Sequence, residues 1–271
     1  MKFNPPLATS EVEGVLPQFR PIISIPNGVG GQGTVFRGTL GTSDLAVKIF
    51  YPGATTERAD REFNFLQRTR CPQLASIYSF GTVTVRGTSC IFSATPFIEG
   101  DLLSQLVKNG PQNVSNCAKL GCDIAAAIDA MWAERVVHRD IKPPNIIVSK
   151  TSGAVLFDLG VARHLSMDSL TSVGITWGTQ GYMAPEHARA MRLLSCKADV
   201  FSLGIVLQEA LLGRHPVFGD QRLLLNGRPP TQRLSPTLPA AFCEIVDKML
   251  VKEVHKRIGP SQVSALLTPW V

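Results

Sequence analysis

The 271 residues carry 27 Lys and Arg against 21 Asp and Glu, a formal net charge of +6, and 44% of them are hydrophobic. This is the balance of a folded protein with one large domain or two lobes, and it excludes global disorder. The basic excess is small and holds no Lys/Arg run, so it permits phosphorylated ligands without indicating nucleic acid. Cys71, Cys90, Cys117, Cys122, Cys196 and Cys243 form no C-x-x-C pair, which fits a reducing compartment rather than a disulfide framework. The opening "MKFNPPLATSEVEG" lacks the apolar run of a signal peptide. No stretch is long and apolar enough for a membrane span, and together these features point to the cytoplasm.

In chain order, the first twenty residues hold Pro5, Pro6 and Pro17 without a clear period, and residues 1–21 read as an N-terminal tail, surface-packed or mobile. "IISI", "TVFRGTL" and "LAVKIF", from Ile22 to about Phe50, are β-branched and apolar with glycine turns between them, and predict strands. "ERADREFNFLQRT" predicts a helix through Phe63 and Leu66, and "LASIYSFGTV" and "SCIFSATPFI" predict two more strands. After Ile98 the pattern becomes helical. In "NVSNCAKLGCDIAAAIDAMWAE", Val114, Cys117, Gly121, Ile124, Ile128 and Met131 share one broad face. "DVFSLGIVLQEALLG" predicts a strongly apolar helix ending at Gly213, and "LPAAFCEIVDKML" and "SQVSALL" predict later ones. The expected class is α+β: a small sheet-rich lobe with one main helix over 22–97 and a larger, mostly helical lobe over 98–271. The junction near Phe97 to Gly100 is a favoured place for a ligand cleft.

"NGVGGQGTVF" sets Gly28, Gly30 and Gly33 in a G-x-G-x-x-G pattern followed by Val35. A dinucleotide-binding turn requires a helix next, but "TVFRGTL" reads as a strand. A glycine-rich hairpin turn accounts for the pattern; so does a flap whose free N–H groups cover phosphates. Lys48 ends "LAVK", projecting from an apolar strand. A lysine there either snorkels to the surface or pairs with an anion, and Glu62, in the predicted helix with Leu66 four residues on, is the candidate partner ahead of Glu57. "VVHRDIKPPNII" then concentrates His138, Arg139, Asp140, Lys142 and Asn145 between apolar flanks, followed by "LFDLG" and "GTQGYMAPE".

These motifs, in this order, resemble the eukaryotic-type protein kinase family in its Ser/Thr branch, and "APEHARA" has a bacterial style. The resemblance runs from about Ile22 to the C-terminus. It implies ATP and Mg²⁺ as cofactors, with Mn²⁺ as a substitute, and protein substrates bearing Ser or Thr. Asp140 would accept the substrate hydroxyl proton, and Lys142 would neutralise the moving phosphoryl group. Asn145 and Asp158 would hold the metal. Lys48 would contact the α- and β-phosphates and pair with Glu62, under a cover of Gly28, Gly30 and Gly33. Ala46 and Ile147 would sandwich the adenine, with Val35, Thr95 and Phe97 as further nucleotide contacts and Pro96 to Ile98 as the hinge. Thr179 would bridge Asp140 and Lys142, Glu186 would pair with Arg257, and Asp199 would anchor the backbone of the catalytic loop. His138 has no acid–base role in this reading.

Two positions depart from the pattern. The metal motif reads Asp158-Leu159-Gly160 where the family usually has Phe, and the hinge has Pro96 where an acidic residue is expected. Arg139 would receive a phosphorylated residue of the segment carrying Ser166, Ser169, Thr171, Ser172 and Thr176, which a polar loop would also be rich in. Self-association for autophosphorylation follows from that reading. Two alternatives stay open: a pseudokinase that binds nucleotide or scaffolds without turnover, and a kinase-fold enzyme acting on a small molecule.

Overall fold

In a computed structural model, residues 2–52, 71–158, 178–189 and 194–271 are described. They divide into two compact units. The first holds the described residues up to 52 and Ala75–Ile98, and the second holds Cys71–Leu74 and the described residues from Glu99 onward.

The first unit is a five-stranded antiparallel sheet in the order β1-β2-β3-β5-β4. Its strands are β1 (Ile23–Val29), β2 (Gly33–Leu40), β3 (Ser43–Phe50), β4 (Ser79–Val85) and β5 (Thr88–Pro96). The two-residue alternation of a strand separates its faces. Leu45, Val47 and Ile49 of β3 are buried with Phe36 of β2 and Phe92 and Ala94 of β5 in one apolar cluster. The intervening residues lie on the opposite face, where the register pairs Lys48 with Val35 and Ser93, and Ala46 with Arg37 and Thr95. Arg86 and Gly87 join β4 to β5 with φ of +50° and +74°, the double left-handed turn that suits the twist of a hairpin.

Of the stretch 1–21, expected as a tail, residues 2–21 are described, and several of them enter this unit's core. α1 (Thr9–Val15) and a 3₁₀ turn over Pro17–Phe19 bury Leu7, Val12, Leu16 and Phe19 in the same cluster. The Glu13 carboxylate accepts from the Ile22 N–H at 2.9 Å. Arg86 donates to both oxygens of Glu11, at 2.7 and 2.8 Å, and to the carbonyl of Pro5. That pair, followed by the Ala8 N–H, holds the Glu11 carboxyl down at about 2.

The second unit carries a small antiparallel sheet of β6 (Asp101–Leu102), β7 (Ile146–Ser149) and β8 (Gly153–Leu156). Its helices are α2 (Leu103–Lys108), α3 (Val114–Ala133), α4 (Pro185–Ala188), α5 (Cys196–Leu212), α6 (Gln221–Asn226), α7 (Thr231–Leu234), α8 (Ala240–Met249) and α9 (Pro260–Leu267). α3 starts at Asn113, whose side chain accepts from the Asn116 N–H at 2.8 Å. It packs Ile124, Ile128 and Met131 inward, and lies against α5, α9 and β8. α5 is buried on all sides, which is why its sequence is apolar throughout. It ends at Gly213 in the left-handed conformation, φ +67°. Among the described residues, no helix is long and apolar enough to cross a membrane. All six cysteines are free. The predicted helix with Glu62, the Leu159-Gly160 pair and the segment from Ser166 to Thr176 lie outside the described residues.

Candidate active site

The loop Val136–Asn145 connects α3 to β7 and is fixed from below by α5. Asp199, in the first turn of α5, accepts from the backbone N–H of His138 at 2.7 Å and of Arg139 at 2.9 Å. This holds Arg139 at a φ of +68°, a conformation a non-glycine residue keeps only when its surroundings demand it. Burial pushes the Asp199 carboxyl up to about 6, against the two N–H bonds that lower it. His138 is buried beneath the same loop. Its Nδ1 accepts from the Asp140 N–H at 3.3 Å, so Nε2 carries the proton and donates to the Phe157 carbonyl at 3.3 Å. Burial lowers its pKa, which keeps it neutral, so it acts as scaffold.

Asp140 stands at the centre. Its Oδ1 accepts from the Thr179 hydroxyl at 2.7 Å and the Thr179 N–H at 3.1 Å. Lys142 Nζ lies 2.9 Å from Asp140 Oδ2 and donates to Thr179 Oγ1 at 2.7 Å. Asn145, in a 3₁₀ turn over Pro143–Asn145, donates through Nδ2 to the Asp140 carbonyl at 2.8 Å. The Phe157 N–H donates to the Asn145 carbonyl at 3.1 Å, which ties the residue before Asp158 to the loop. Asp158 has a φ of +59°. The second unit thus brings Asp140, Lys142, Asn145 and Thr179 together, with Asp158 next to a residue bonded to Asn145. The donors of Asn145 and Asp158 suit a hard cation such as Mg²⁺, which takes oxygen ligands. Asn145 Nδ2 is committed to Asp140, so its Oδ1 is the atom with which it would hold one.

The segment after Thr179 is held as firmly. Glu186 forms a buried two-bond ion pair with Arg257, at 2.6 and 3.1 Å. Ser202 of α5 donates to the Tyr182 carbonyl at 2.8 Å, and the Tyr182 hydroxyl donates to Glu209 at 2.5 Å. Gln221 accepts from the Gly181 N–H and donates to the Met183 carbonyl, both at 2.8 Å. His215 reaches the Gly181 carbonyl at 3.0 Å. Tyr182, Ser202, Glu209, His215 and Gln221 are not evident as site residues in the sequence. Their roles arise from contacts between positions far apart in the chain, and apart from Tyr182, which stands in "GTQGYMAPE", they carry no local motif.

In the first unit, Val35, Ala46, Lys48 and Thr95 share the sheet face turned away from the apolar cluster. Lys48 Nζ sits 4.6 Å from the centre of the Phe50 ring. Phe97 donates its N–H to the Asp44 carbonyl at 2.9 Å and stacks under the Arg37 guanidinium at 4.2 Å. Gly28 lies in β1 and Gly33 opens β2, where a Cβ would strike the carbonyls of Val35 and Ile49 respectively. At Gly30 a Cβ would come no nearer than 3.5 Å to the Gly33 carbonyl, and at Gly31 it would meet nothing within 4 Å. Strand pairing explains two glycines and leaves the loop tip open. Ile147 lies in β7 of the second unit, paired with Leu102 and Val155.

A protein kinase domain family model matches residues 26–271. The chain belongs to the protein kinase family. Among the kinases it is similar to is the serine/threonine-protein kinase PknH of Mycobacterium bovis, 31% identical over 253 residues, covering 88% of this chain and 42% of that protein. PknD of Mycobacterium tuberculosis is 32% identical over 245 residues, covering 85% of this chain and 36% of that kinase. PknE of the same species is 31% identical over 245 residues, covering 85% and 42%. The kinase domain therefore belongs with the serine/threonine branch and has bacterial affinity, in the α+β class expected. The chain spans between 36% and 42% of the length of these kinases. Neither the scaffold nor the small-molecule alternative is favoured by these relatives.

Proposed function

We propose that this domain transfers the γ-phosphoryl group of ATP to serine or threonine hydroxyls of protein substrates. The observation that carries the reading is the Thr179 hydroxyl bonded at once to Asp140 Oδ1 and Lys142 Nζ, at 2.7 Å each. It couples a carboxylate, a cation and the segment expected to receive a peptide.

Phosphoryl transfer asks a protein for in-line positioning and charge compensation rather than covalent chemistry. Asp140 would accept the hydrogen bond of the substrate hydroxyl, aim its oxygen at the γ-phosphorus and take its proton as the oxygen attacks. As the new O–P bond forms, the bond from the γ-phosphorus to the bridging oxygen breaks, and ADP leaves with that electron pair. Lys142 would offset the charge on the moving group. Asn145 and Asp158 would hold Mg²⁺, or Mn²⁺ with the same preference for oxygen. When bound, the metal supplies positive charge at the β- and γ-phosphate oxygens. Lys48, with Glu62 as its expected partner, would hold the α- and β-phosphates. The Gly30 N–H is bonded to the Gly33 carbonyl at 2.9 Å and closes the turn; the tip at Gly31, where a Cβ would meet nothing within 4 Å, leaves the backbone approachable by phosphate, and Gly28 and Gly33 shape the strands that present it. Val35, Ala46, Thr95, Phe97 and Ile147 would contact the adenine and ribose. A compartment that supplies ATP and keeps six thiols reduced, the cytoplasm, fits this use. Transfer between two copies would modify the Ser/Thr segment from Ser166 to Thr176 that Arg139 is expected to receive.

The test is incubation of the purified protein with Mg²⁺ and γ-labelled ATP, with a generic basic protein as acceptor, beside Asp140→Asn. Label on Ser or Thr in the wild type and a loss of roughly a hundredfold or more in the variant is the expected outcome, the scale of losing a positioned base. Mg²⁺-dependent ATP binding with no label would instead mean a pseudokinase. Label passing mainly to a small molecule would overturn the protein-substrate reading.

A further inference from the structure

The turn that follows α5, from Arg214 to Asp220, has no part in the chemistry above, yet its one histidine reaches the segment carrying Thr179. His215 Nε2 lies 3.0 Å from the Gly181 carbonyl. Its Nδ1 lies 2.8 Å from the Gly219 N–H and 3.2 Å from the Val217 N–H. Both of those neighbours are donors, so Nδ1 must be an acceptor. Nε2 then carries the proton and donates to Gly181, and a single neutral tautomer satisfies all three contacts.

The approach of the two backbones is built to be close. Gly181 has a φ of +89°, and a Cβ there would come within 2.8 Å of Gly219 Cα and 2.9 Å of His215 Nε2. On the other side Gln221 brackets the same stretch, bonding the Gly181 N–H and the Met183 carbonyl. The Tyr182 ring stands edge-on to the imidazole, with centroids 5.0 Å apart. Two residues before Gly181, Thr179 bonds Asp140 and Lys142. A shift of Gly181 is therefore transmitted over two residues to the hydroxyl that organises the transfer site.

We propose that His215 is a positioning residue for the protein substrate: it locks the backbone at Gly181 through its neutral tautomer, and its protonation releases that backbone. The proposal rests on the protein kinase reading above. A second proton can enter only at Nδ1, where it would point at two N–H donors; that repulsion, which a Gln side chain does not reproduce, pushes the ring out of the turn and carries Nε2 away from the Gly181 carbonyl. Burial lowers the His215 pKa against the Gly181 contact that raises it, so the lock holds through neutral pH and opens below the ordinary value of 6.5. The titratable and charged groups around it are Tyr182 from the segment, Glu209 of α5 bonded to Tyr182, and Arg214 and Asp220 from its own turn. Burial raises both Tyr182 and Glu209.

Two isosteres separate the halves of the lock. His215→Gln places an amide nitrogen near Nε2 and keeps the donor to Gly181. His215→Asn places an oxygen near Nδ1, keeping the turn's acceptor and losing that donor. The experiment measures kcat/KM for the basic protein and KM for ATP between pH 5.5 and 8 in the full chain, with ¹⁵N chemical shifts of His215 read alongside. The expected result at pH 7.5 is a fall of about tenfold in kcat/KM for the protein in the Asn variant, and of about threefold or less in the Gln variant, on the scale of one hydrogen bond. KM for ATP should stay near the wild-type value, and the shifts should report a proton on Nε2. In the wild type, KM for the protein should rise on acidification; in the Gln variant it should not. Equal losses in both variants, a parallel rise in KM for ATP, a proton on Nδ1, or a rise in protein KM that survives in the Gln variant and so belongs to Glu209, would each overturn the proposal. An inactive wild type would instead count against the kinase reading, with the tautomer still measured.

Discussion

Asp199 shows how one side chain can set the geometry of a loop it never joins. It holds two consecutive backbone N–H groups, at 2.7 and 2.9 Å, and is almost fully buried. Asn in its place keeps one accepting oxygen and turns an NH₂ group towards the other N–H. The expected effect of Asp199→Asn is a fall in kcat of about tenfold or more, because a buried N–H left without an acceptor costs about 1–3 kcal/mol. The wild-type residue also predicts a pH dependence. With its pKa pushed up to about 6, Asp199 loses an accepting oxygen as the pH falls through that value, so kcat falls there. Its linkage to folding has the opposite sign. The folded value lies above the ordinary 3.8, so between about 6 and 4 the folded chain takes up this proton before the unfolded one, and the group favours folding as pH drops. A kcat–pH profile at saturating substrate checks the first claim: the acid limb near 6 should be absent from the Asn variant. His215 acts instead on the KM for protein, so the two titrations are separable.

At the scale of elements, α5 is the piece on which the second unit is assembled. It supplies Asp199 to the catalytic loop, Ser202 and Glu209 to Tyr182, and a C-terminus from which His215 departs. That terminus depends on Gly213, at φ +67°, where a Cβ would lie 2.9 Å from the Pro111 nitrogen. Gly213→Ala should lower stability by about 1–3 kcal/mol, from the left-handed conformation plus the crowding. A lower denaturation midpoint with an unchanged m-value would confirm it. The helix and its cap were legible in the sequence because both signals are local: an unbroken apolar run and a terminal glycine. The catalytic loop was legible for a related reason, since Asp140, Lys142 and Asn145 are near neighbours in the chain. The clamp on Gly181 was not. His215 and Gln221 lie 34 and 40 residues beyond the backbone they hold, and nothing in "GRHPVFGDQ" says where its side chains end. Glu62, which the sequence nominated as partner to Lys48, lies outside the described residues and stays an expectation.

At the scale of the whole molecule, the family match and the fold begin at different places. The match starts at residue 26, whereas the apolar cluster of the sheet unit is completed by Leu7, Val12, Leu16 and Phe19. Three prolines hid this in the sequence by interrupting the period: Val12 and Leu16 keep a helical spacing of four, but α1 has only seven residues. Burying side chains of this size contributes about 2 kcal/mol each before conformational entropy is subtracted, against a net stability of about 5–15 kcal/mol for a typical domain. The segment is therefore part of the fold in energetic terms. Phe19→Ala should cost about 3 kcal/mol or more, since it opens a cavity against Phe92, whose ring lies 6.0 Å from that of Phe19. Removing residues 2–21 should do more, because it exposes Phe36, Val47 and Phe92 together. The shortened chain is expected to bind a hydrophobic dye and to aggregate at temperatures the full chain tolerates. Arg86→Ala serves as the comparison. It breaks the exposed pair with Glu11 while leaving the apolar contacts, and surface ion pairs contribute little, so its midpoint should move only slightly. If Arg86→Ala proved as damaging as Phe19→Ala, the segment would be held by its charges, and the apolar account of its docking would be wrong.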